Sequence, residues 1–149
     1  MELILSEENP IPLSELLEEF EFLGDWEDQC DFLIDLGFRL PPLPEEAKVE
    51  ENRVHGCQSN VWLVANIDVS VPPILTFVAN SDAIIVNGLI SVLMSIYSGK
   101  TADNVLATDA QKIFAQLGLD RQLSSQRRNG LFGMVKRIRQ IAAASTAHN

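Results

Sequence analysis

A long apolar segment between residues 81 and 97 constrains the fold more than any other stretch of the chain. Its hydrophobic side chains fall on more than one face of a helix; they are Ile84, Ile85, Leu89, Ile90, Val92, Leu93, Met94 and Ile96. A helix that is apolar on most faces is buried on most faces. We therefore expect a central helix that runs from Ser81 to about Tyr97, with Gly99 beyond its end, and that packs against a sheet.

Two segments before this helix are predicted to be strands. Residues 60–68 alternate, with Val61, Leu63, Ala65 and Ile67 on one face, and this period of two is typical of a half-buried strand. A second strand at residues 74–80 follows a double proline, so the two strands are predicted to form a hairpin. The shorter and more polar residues 49–54 are a candidate antiparallel partner strand.

Helices are predicted on the N-terminal side of the sheet. Ser14 and Asp25 are expected to begin two helices, and the second is expected to end near Leu36 because Gly37 follows it. The proline-rich residues 40–44 cannot continue a helix and form a stiff, extended connection.

Helices are also predicted on the C-terminal side. Thr101, Asp109 and either Ser124 or Ser125 are expected to begin three of them. The last helix has an apolar stripe that is expected to face inward, made of Leu131, Met134, Val135, Ile138 and Ile141. The order predicts an α+β fold in one domain over residues 1–149, in which N- and C-terminal helices cover a small antiparallel sheet of about three strands.

Composition fits a compact intracellular domain. The chain has 149 residues, of which 46% are hydrophobic, so it is long enough to bury a core. Its two cysteines, Cys30 and Cys57, provide no disulfide framework and no cluster of metal ligands. The first residues lack the pattern of a signal peptide, and no apolar run reaches the roughly 20 residues of a membrane helix. We expect a soluble cytoplasmic protein that makes no membrane contact.

Charge is divided unevenly along the chain. Residues 1–52 carry 16 acidic and 2 basic side chains, whereas residues 53–149 carry 5 acidic and 9 basic ones. A basic C-terminal helix is one feature of nucleic-acid binding, but no nucleic-acid motif accompanies it and an acidic half of the same chain is available to balance it. Intramolecular balance or a protein partner is the favoured interpretation, and no nucleic-acid partner is expected.

Cys57 is the candidate reactive residue. Gly56 can adopt a positive φ and so allows a sharp turn between two extended segments, which puts the thiol on a loop. A thiolate is the nucleophilic form of cysteine; Arg53 and His55 would favour it, whereas neighbouring glutamates would oppose it. Local chemistry leaves two interpretations open, an activated nucleophile or a small hydrophobic residue that fills space beneath the loop.

Three blocks of sequence resemble a known family. Residues 55–62, HGCQSNVW, resemble the active loop of the SufE family of cysteine desulfuration proteins. Residues 81–90, SDAIIVNGLI, and residues 123–131, LSSQRRNGL, resemble two further blocks of that family, in the same order and at similar spacing. The resemblance implies a SufE/IscU-like fold and extends from about Trp26 to the last helix.

The resemblance also implies an activity. Cys57 would accept sulfur from the persulfide of a SufS-like cysteine desulfurase, stimulate turnover of that enzyme, and deliver the sulfur to a SufBCD-like scaffold for iron–sulfur cluster assembly. The pyridoxal phosphate would belong to the desulfurase, so no metal and no cofactor are expected on this chain. Whether a sulfurtransferase-like carrier of this kind counts as an enzyme is left open.

Supporting roles follow from the same blocks. Asp82 is expected in the first turn of the central helix, where it would stabilise the helix N-terminus, and the resemblance adds a role in partner docking. Arg127 matches the arginine of the family's Arg-x-x-Gly-Leu block, which implies support of the active loop or contact with the desulfurase. Gly56 would shape the loop. Arg128 is expected to be solvated and Cys30 to be buried and inert.

Three other functions compete with sulfur transfer. A cluster scaffold presents several soft ligands together, and a cysteine hydrolase needs a positioned histidine, for which neither His55 nor His148 is well situated. The third is an adaptor of the desulfurase that carries an incidental thiol.

Overall fold

The computed structural model describes residues 10–146. Within that range the helices are α1 (Leu13–Leu23), α2 (Trp26–Arg39), α3 (Ile84–Tyr97), α4 (Ala102–Ala107), α5 (Ala110–Leu117), α6 (Leu119–Gln122) and α7 (Ser125–Thr146). The strands are β1 (Val61–Ile67), β2 (Ile74–Ser81) and β3 (Lys100–Thr101), and two short 3₁₀ turns lie at Glu45–Ala47 and Glu50–Asn52. The α+β prediction is confirmed.

The three strands form one antiparallel sheet in the order β1-β2-β3. The predicted hairpin is correct, and its register pairs Val61 with Ser81 and Ile67 with Leu75. Asp68 closes its turn, because one carboxylate oxygen accepts hydrogen bonds from the backbone N–H of Ile74 at 2.8 Å and of Ser70 at 3.0 Å. One face of the sheet is buried in the core; its residues are Val61, Leu63, Leu75, Phe77 and Ala79. The predicted inward face of β1 is buried at Val61 and Leu63, whereas Ala65 is half-buried and Ile67, at the end of the strand, is 48% exposed.

Helix α3 lies between the sheet and α2. Its side chains from Leu89 to Leu93 are buried without interruption, as expected of a central helix. Two glycines let the helices meet closely: a Cβ at Gly37 would lie 2.5 Å from the carbonyl oxygen of Ile84, and one at Gly88 would collide with the carbonyl of Leu33. The prediction that Gly37 ends α2 is wrong, because Gly37 is a buried contact inside a helix that continues to Arg39.

The predicted helix starts are mostly correct. The side chains of Asp25, Thr101 and Asp109 accept hydrogen bonds from backbone N–H groups in the first turns of α2, α4 and α5. Ser124 does the same for α7, accepting from Arg127 N at 3.2 Å. Ser14 is different: α1 begins at Leu13 after Pro12, so Ser14 lies within the helix. In α7 the predicted stripe is buried from Leu131 to Ile138, whereas Ile141 is half-buried.

Residues 49–54 do not form the predicted partner strand. They form a 3₁₀ turn at Glu50–Asn52, followed by a single bridge between Arg53 and Trp62. Glu50, Glu51 and Asn52 carry no apolar alternation that would hold this segment on the sheet, and the turn satisfies part of their backbone locally. The bridge to β1 is made by one backbone hydrogen bond, in which the N–H of Val54 donates to the carbonyl of Val61 at 2.8 Å.

Candidate functional site

The loop that carries Cys57 spans residues 55–60. It begins after Val54 and ends before β1, which starts at Val61, and a hydrogen bond joins Val54 to Val61. We call it the Cys57 loop. Gly56 has φ +93°, a conformation that favours glycine, and a Cβ added there would meet nothing within 4 Å. The predicted role of Gly56 is thus a backbone role: its conformation directs the chain that follows it towards α7.

Cys57 points inward. Its Sγ donates to the carbonyl oxygen of Gly130 in α7 at 3.6 Å, and its half-buried side chain packs against the hydrophobic core. The sequence predicts that the thiol lies on a loop but does not predict its direction: the backbone is at the surface while the sulfur faces a helix. The thiol fills space beneath the loop, as the second of the two open interpretations has it, and its half-buried side chain still borders solvent.

The electrostatic surroundings favour the neutral thiol. Burial raises the pKa of Cys57 above the usual value for cysteine. The two side chains expected to promote the thiolate both lie near Glu50. Arg53 Nη1 is 3.7 Å from one of its carboxylate oxygens, and His55 Nε2 is 3.3 Å from the other. His55 is exposed, which agrees with a minor role. Ionisation of Cys57 is therefore less favourable in this conformation than in an exposed cysteine.

Asp82 binds the downstream end of the Cys57 loop. Its two carboxylate oxygens accept from the backbone N–H of Asn60 at 3.1 Å and from the Asn60 side-chain amide at 2.9 Å. The expectation that Asp82 lies in the first turn of the central helix is wrong, since α3 begins two residues later at Ile84. The reason is local: the side chain of Asn87 accepts from the N–H of Ser81 at 2.7 Å and donates to its carbonyl at 3.1 Å, which keeps that end of β2 extended.

The two neighbouring arginines of α7 have different surroundings. Arg127 is exposed, and within residues 10–146 its side chain makes no hydrogen bond or ion pair. Arg128 is half-buried and donates to the carbonyl of Asp120 at 2.9 Å, so it is only partly solvated. Arg128 thus has a structural contact, whereas Arg127 is available to a partner.

Three residues of α7 that contact this region were not predicted. Gly130 and Gly133 lie directly against the loop, and Arg137 Nη2 donates to the carbonyl of Glu51 at 2.7 Å. The spacing of two glycines within a helix that otherwise has an apolar stripe is the signal that could have found them, because glycine is unfavourable inside a helix unless something packs there.

Cys30 lies in α2 and is partly exposed rather than buried. Both cysteines are free thiols. Within residues 10–146, no three histidine, cysteine, aspartate or glutamate side chains come close enough together to hold a metal ion. In the same range, no helix has both the length and the apolar character needed to cross a membrane.

The chain is similar to known proteins over most of its length. The sequence profile of the SufE family, described as an Fe-S metabolism associated domain, matches residues 14–142. An uncharacterized SufE-like protein of Rhizobium etli is 47% identical over 136 residues, which cover 91% of this chain and 92% of the relative. A second uncharacterized SufE-like protein, from Rhizobium meliloti, is 44% identical over 131 residues, covering 87% and 94% respectively.

Among solved structures, a hypothetical protein from Thermus thermophilus has a similar fold. Its solution structure matches with a TM-score of 0.73 over 94% of this chain and 99% of that one. The sequences are 21% identical, so this similarity concerns the fold alone.

Proposed function

Because the chain belongs to the SufE family, a family of iron–sulfur metabolism, we propose that Cys57 accepts sulfur from the persulfide of a cysteine desulfurase and passes it on for cluster assembly. The observation that carries the proposal is the position of Cys57. Of the two cysteines in the chain, it is the one on a surface loop, and its sulfur rests against α7.

The transfer step is a thiol–disulfide exchange. The Cys57 thiolate attacks the outer sulfur of the desulfurase persulfide; a new sulfur–sulfur bond forms on Cys57, and the bond between that outer sulfur and the partner's cysteine breaks. The partner's cysteine leaves as a thiolate, which takes up the proton that Cys57 gave up. No electrons are gained or lost overall, so the step needs no metal or redox cofactor on this chain.

The resting geometry supports a carrier that is activated by docking. Burial raises the pKa of Cys57, and the side chains of Arg53 and His55 lie against Glu50 rather than against the thiol. Since the thiolate is the reactive form, docking must move the loop outward or bring positive charge to the sulfur. Hydrogen exchange of residues 55–60 should therefore increase when the desulfurase is added, and unchanged protection would count against loop motion.

The proposal extends to partners and location. The donor is a SufS-like desulfurase that carries the pyridoxal phosphate, the acceptor is a SufBCD-like scaffold, and the protein works in the cytoplasm. Arg127 is an exposed, positively charged side chain in the family's third block and is the one we propose contacts the desulfurase.

Intact mass after incubation with desulfurase and L-cysteine tests the proposal. We expect an increase by one sulfur atom that disappears on reduction. Cys57→Ser should abolish this increase, whereas Cys30→Ser is the matched control and should retain it. If Cys57→Ser still gained sulfur, Cys57 would not be the acceptor.

A second measurement distinguishes the carrier from an adaptor. A carrier that relieves the desulfurase of its persulfide should lose stimulation in Cys57→Ser, because no acceptor thiol remains. An adaptor acts through its surface, so undiminished stimulation by Cys57→Ser would favour that function.

A further inference from the structure

One edge of β2 is paired only in part. The neighbouring strand β3 is two residues long and covers only the first two residues of β2. Farther along the same edge, the hydroxyl of Ser98 accepts from the N–H of Phe77 at 3.0 Å and donates to its carbonyl at 3.4 Å. The side-chain amide of Asn87 accepts from the N–H of Ser81 at 2.7 Å and donates to its carbonyl at 3.1 Å. Two side chains therefore take the place of a neighbouring strand.

Ala79 lies between these two positions, and its backbone faces the same edge. In an antiparallel pair of strands, residues that exchange hydrogen bonds alternate with residues that do not, and Asn60 and Asp82 are a bonded pair. Leu63 and Ala79 stand three positions along the ladder from that pair, so Ala79 directs its N–H and C=O away from β1. Within residues 10–146 these two groups meet no hydrogen-bond partner, although Ala79 is only 1% exposed. Buried backbone groups without a partner are rare, so this position is suited to a further strand.

A cavity of about 720 Å³ lies along this open edge. Its mostly apolar wall includes residues 10–12 before α1, Leu36 and Leu40 at the end of α2, residues 76–79 of β2, and Met94 of α3. We call this cavity the β2 slot. An exposed strand edge binds an extended peptide through main-chain hydrogen bonds, while the surrounding wall receives its side chains.

The described part of the chain begins at the wall of the β2 slot. Pro10 lines the slot, and Ile11 beside it also packs against the hydrophobic core. Residues 1–9 have the sequence MELILSEEN, in which residues 3–5, LIL, are the longest apolar run. Leu5 precedes Pro10 by five residues, a reach of about 17 Å in an extended chain, whereas the four residues of the open edge span about 10 Å. The apolar run is therefore within reach of the whole open edge.

We propose that residues 3–5 of this chain bind in the β2 slot as an added strand and pair with the backbone of Ala79. Successive side chains of a strand point to opposite faces, so three apolar residues in a row suit an edge with apolar residues of several elements around it. The polar residues 6–9 would connect this strand to Pro10. Binding in the slot is independent of whether Cys57 accepts sulfur.

The test is amide hydrogen exchange of Ala79, followed by NMR in the whole 149-residue chain. A variant that combines Leu3→Ser, Ile4→Ser and Leu5→Ser keeps the length of the segment and removes its apolar side chains. We expect exchange of the Ala79 amide to become at least about fivefold faster, because the amide loses a hydrogen bond. Exchange of the Val78 amide, which faces β1, should not change.

The matched control changes the polar part of the same segment. Glu7→Ser combined with Glu8→Ser leaves the apolar run intact, so the Ala79 amide should exchange as it does in the parent. Thermal melting and the exchange of Val78 show that each variant keeps the fold. Equal exchange of Ala79 in the parent and in the variant of residues 3–5 would overturn the proposal.

A synthetic peptide with the sequence of residues 1–9 distinguishes this occupant from a segment of another protein. At millimolar concentration the peptide should slow exchange of Ala79 in the variant of residues 3–5. It should have no effect on the parent, because the slot is already filled there. Protection of Ala79 by the peptide in the parent as well would mean that the slot is open and serves a segment of another chain, which would also overturn the proposal.

Discussion

Asp82 and Asn60 are joined by three hydrogen bonds. Both carboxylate oxygens of Asp82 accept from Asn60, at 3.1 and 2.9 Å, and the N–H of Asp82 donates to the carbonyl of Asn60 at 3.3 Å. Asp82 lies two residues before α3, and Asn60 lies three residues after Cys57. The end of the Cys57 loop is therefore fixed directly to the base of the central helix.

Asp82→Ala removes the two side-chain hydrogen bonds and keeps the backbone one. We expect faster hydrogen exchange in residues 58–61 and a loss of stability of at most about 1 kcal/mol, because the pair is exposed. Asp31→Ala, at an exposed position of α2, controls for the loss of one negative charge. Equal exchange in the two variants would mean that the pair does not restrain the loop.

Cys57 should make stability depend on pH in the alkaline range. Burial raises its pKa, so the folded protein keeps this proton at a pH where the unfolded chain has lost it. The contribution is complete below the unfolded pKa of about 8.5 and is lost as the pH rises from there through the folded pKa. Urea unfolding at neutral and alkaline pH should show a steeper loss for the parent than for Cys57→Ser; parallel losses would contradict the prediction.

Arg127 and Arg128 form a matched pair of tests. Arg127→Ala should leave the melting temperature unchanged and weaken desulfurase binding by more than about 1 kcal/mol, roughly fivefold in affinity, if its exposed side chain anchors the partner. Arg128→Ala should instead lower the free energy of unfolding by about 1 kcal/mol, because the Asp120 carbonyl loses its donor. Titration of the desulfurase measures the effect on binding, and thermal melting measures the effect on stability. If Arg127→Ala lowered stability and Arg128→Ala weakened binding, the two arginines would have the opposite roles.

The spacing of apolar residues in the sequence predicted the helices and strands well where that spacing follows from burial. The alternation at residues 61–67 gave β1 correctly, and the apolar run of α3 identified the central helix, because burial on a sheet or among helices requires those patterns. Gly37 was misjudged because its effect on helix propensity is local, whereas its role is a contact with Ile84, distant in sequence.

The site was less predictable for the same reason. Cys57 and Gly56 were proposed from local chemistry and resemblance, but the direction of the thiol depends on Gly130, 73 residues away. Asp82 was assigned to the first turn of α3, but the hydrogen bonds between Ser81 and Asn87 keep the end of β2 extended. The helix therefore begins only at Ile84. Cys57, Gly56 and Asp82 could be named from the sequence. The residues of α7 that contact this region, and the direction of each contact, depended on tertiary packing.

Gly88→Ala tests the contact between the two central helices. The added Cβ would collide with the backbone of Leu33, which cannot move without separating α2 from α3. We expect a loss of at least about 2 kcal/mol, typical of overpacking in a core. Ser95→Ala, a half-buried position on the same helix, is the control in chemical denaturation, and a small loss at Gly88 would indicate that the helices separate easily.

The fixed points on either side of Cys57 set the length of a tether. Val54 is held by its hydrogen bond to Val61 and Asn60 by Asp82, and each lies three residues from the cysteine. An extended chain covers about 3.3–3.6 Å per residue, so the Cα of Cys57 can move no farther than about 10 Å from either point while both hold. If Cys57 accepts sulfur as proposed, the donor sulfur has to come within reach of the Cys57 side chain while its Cα stays inside that radius. We therefore expect the donor cysteine to lie in a shallow recess of the partner or on a mobile segment of its own.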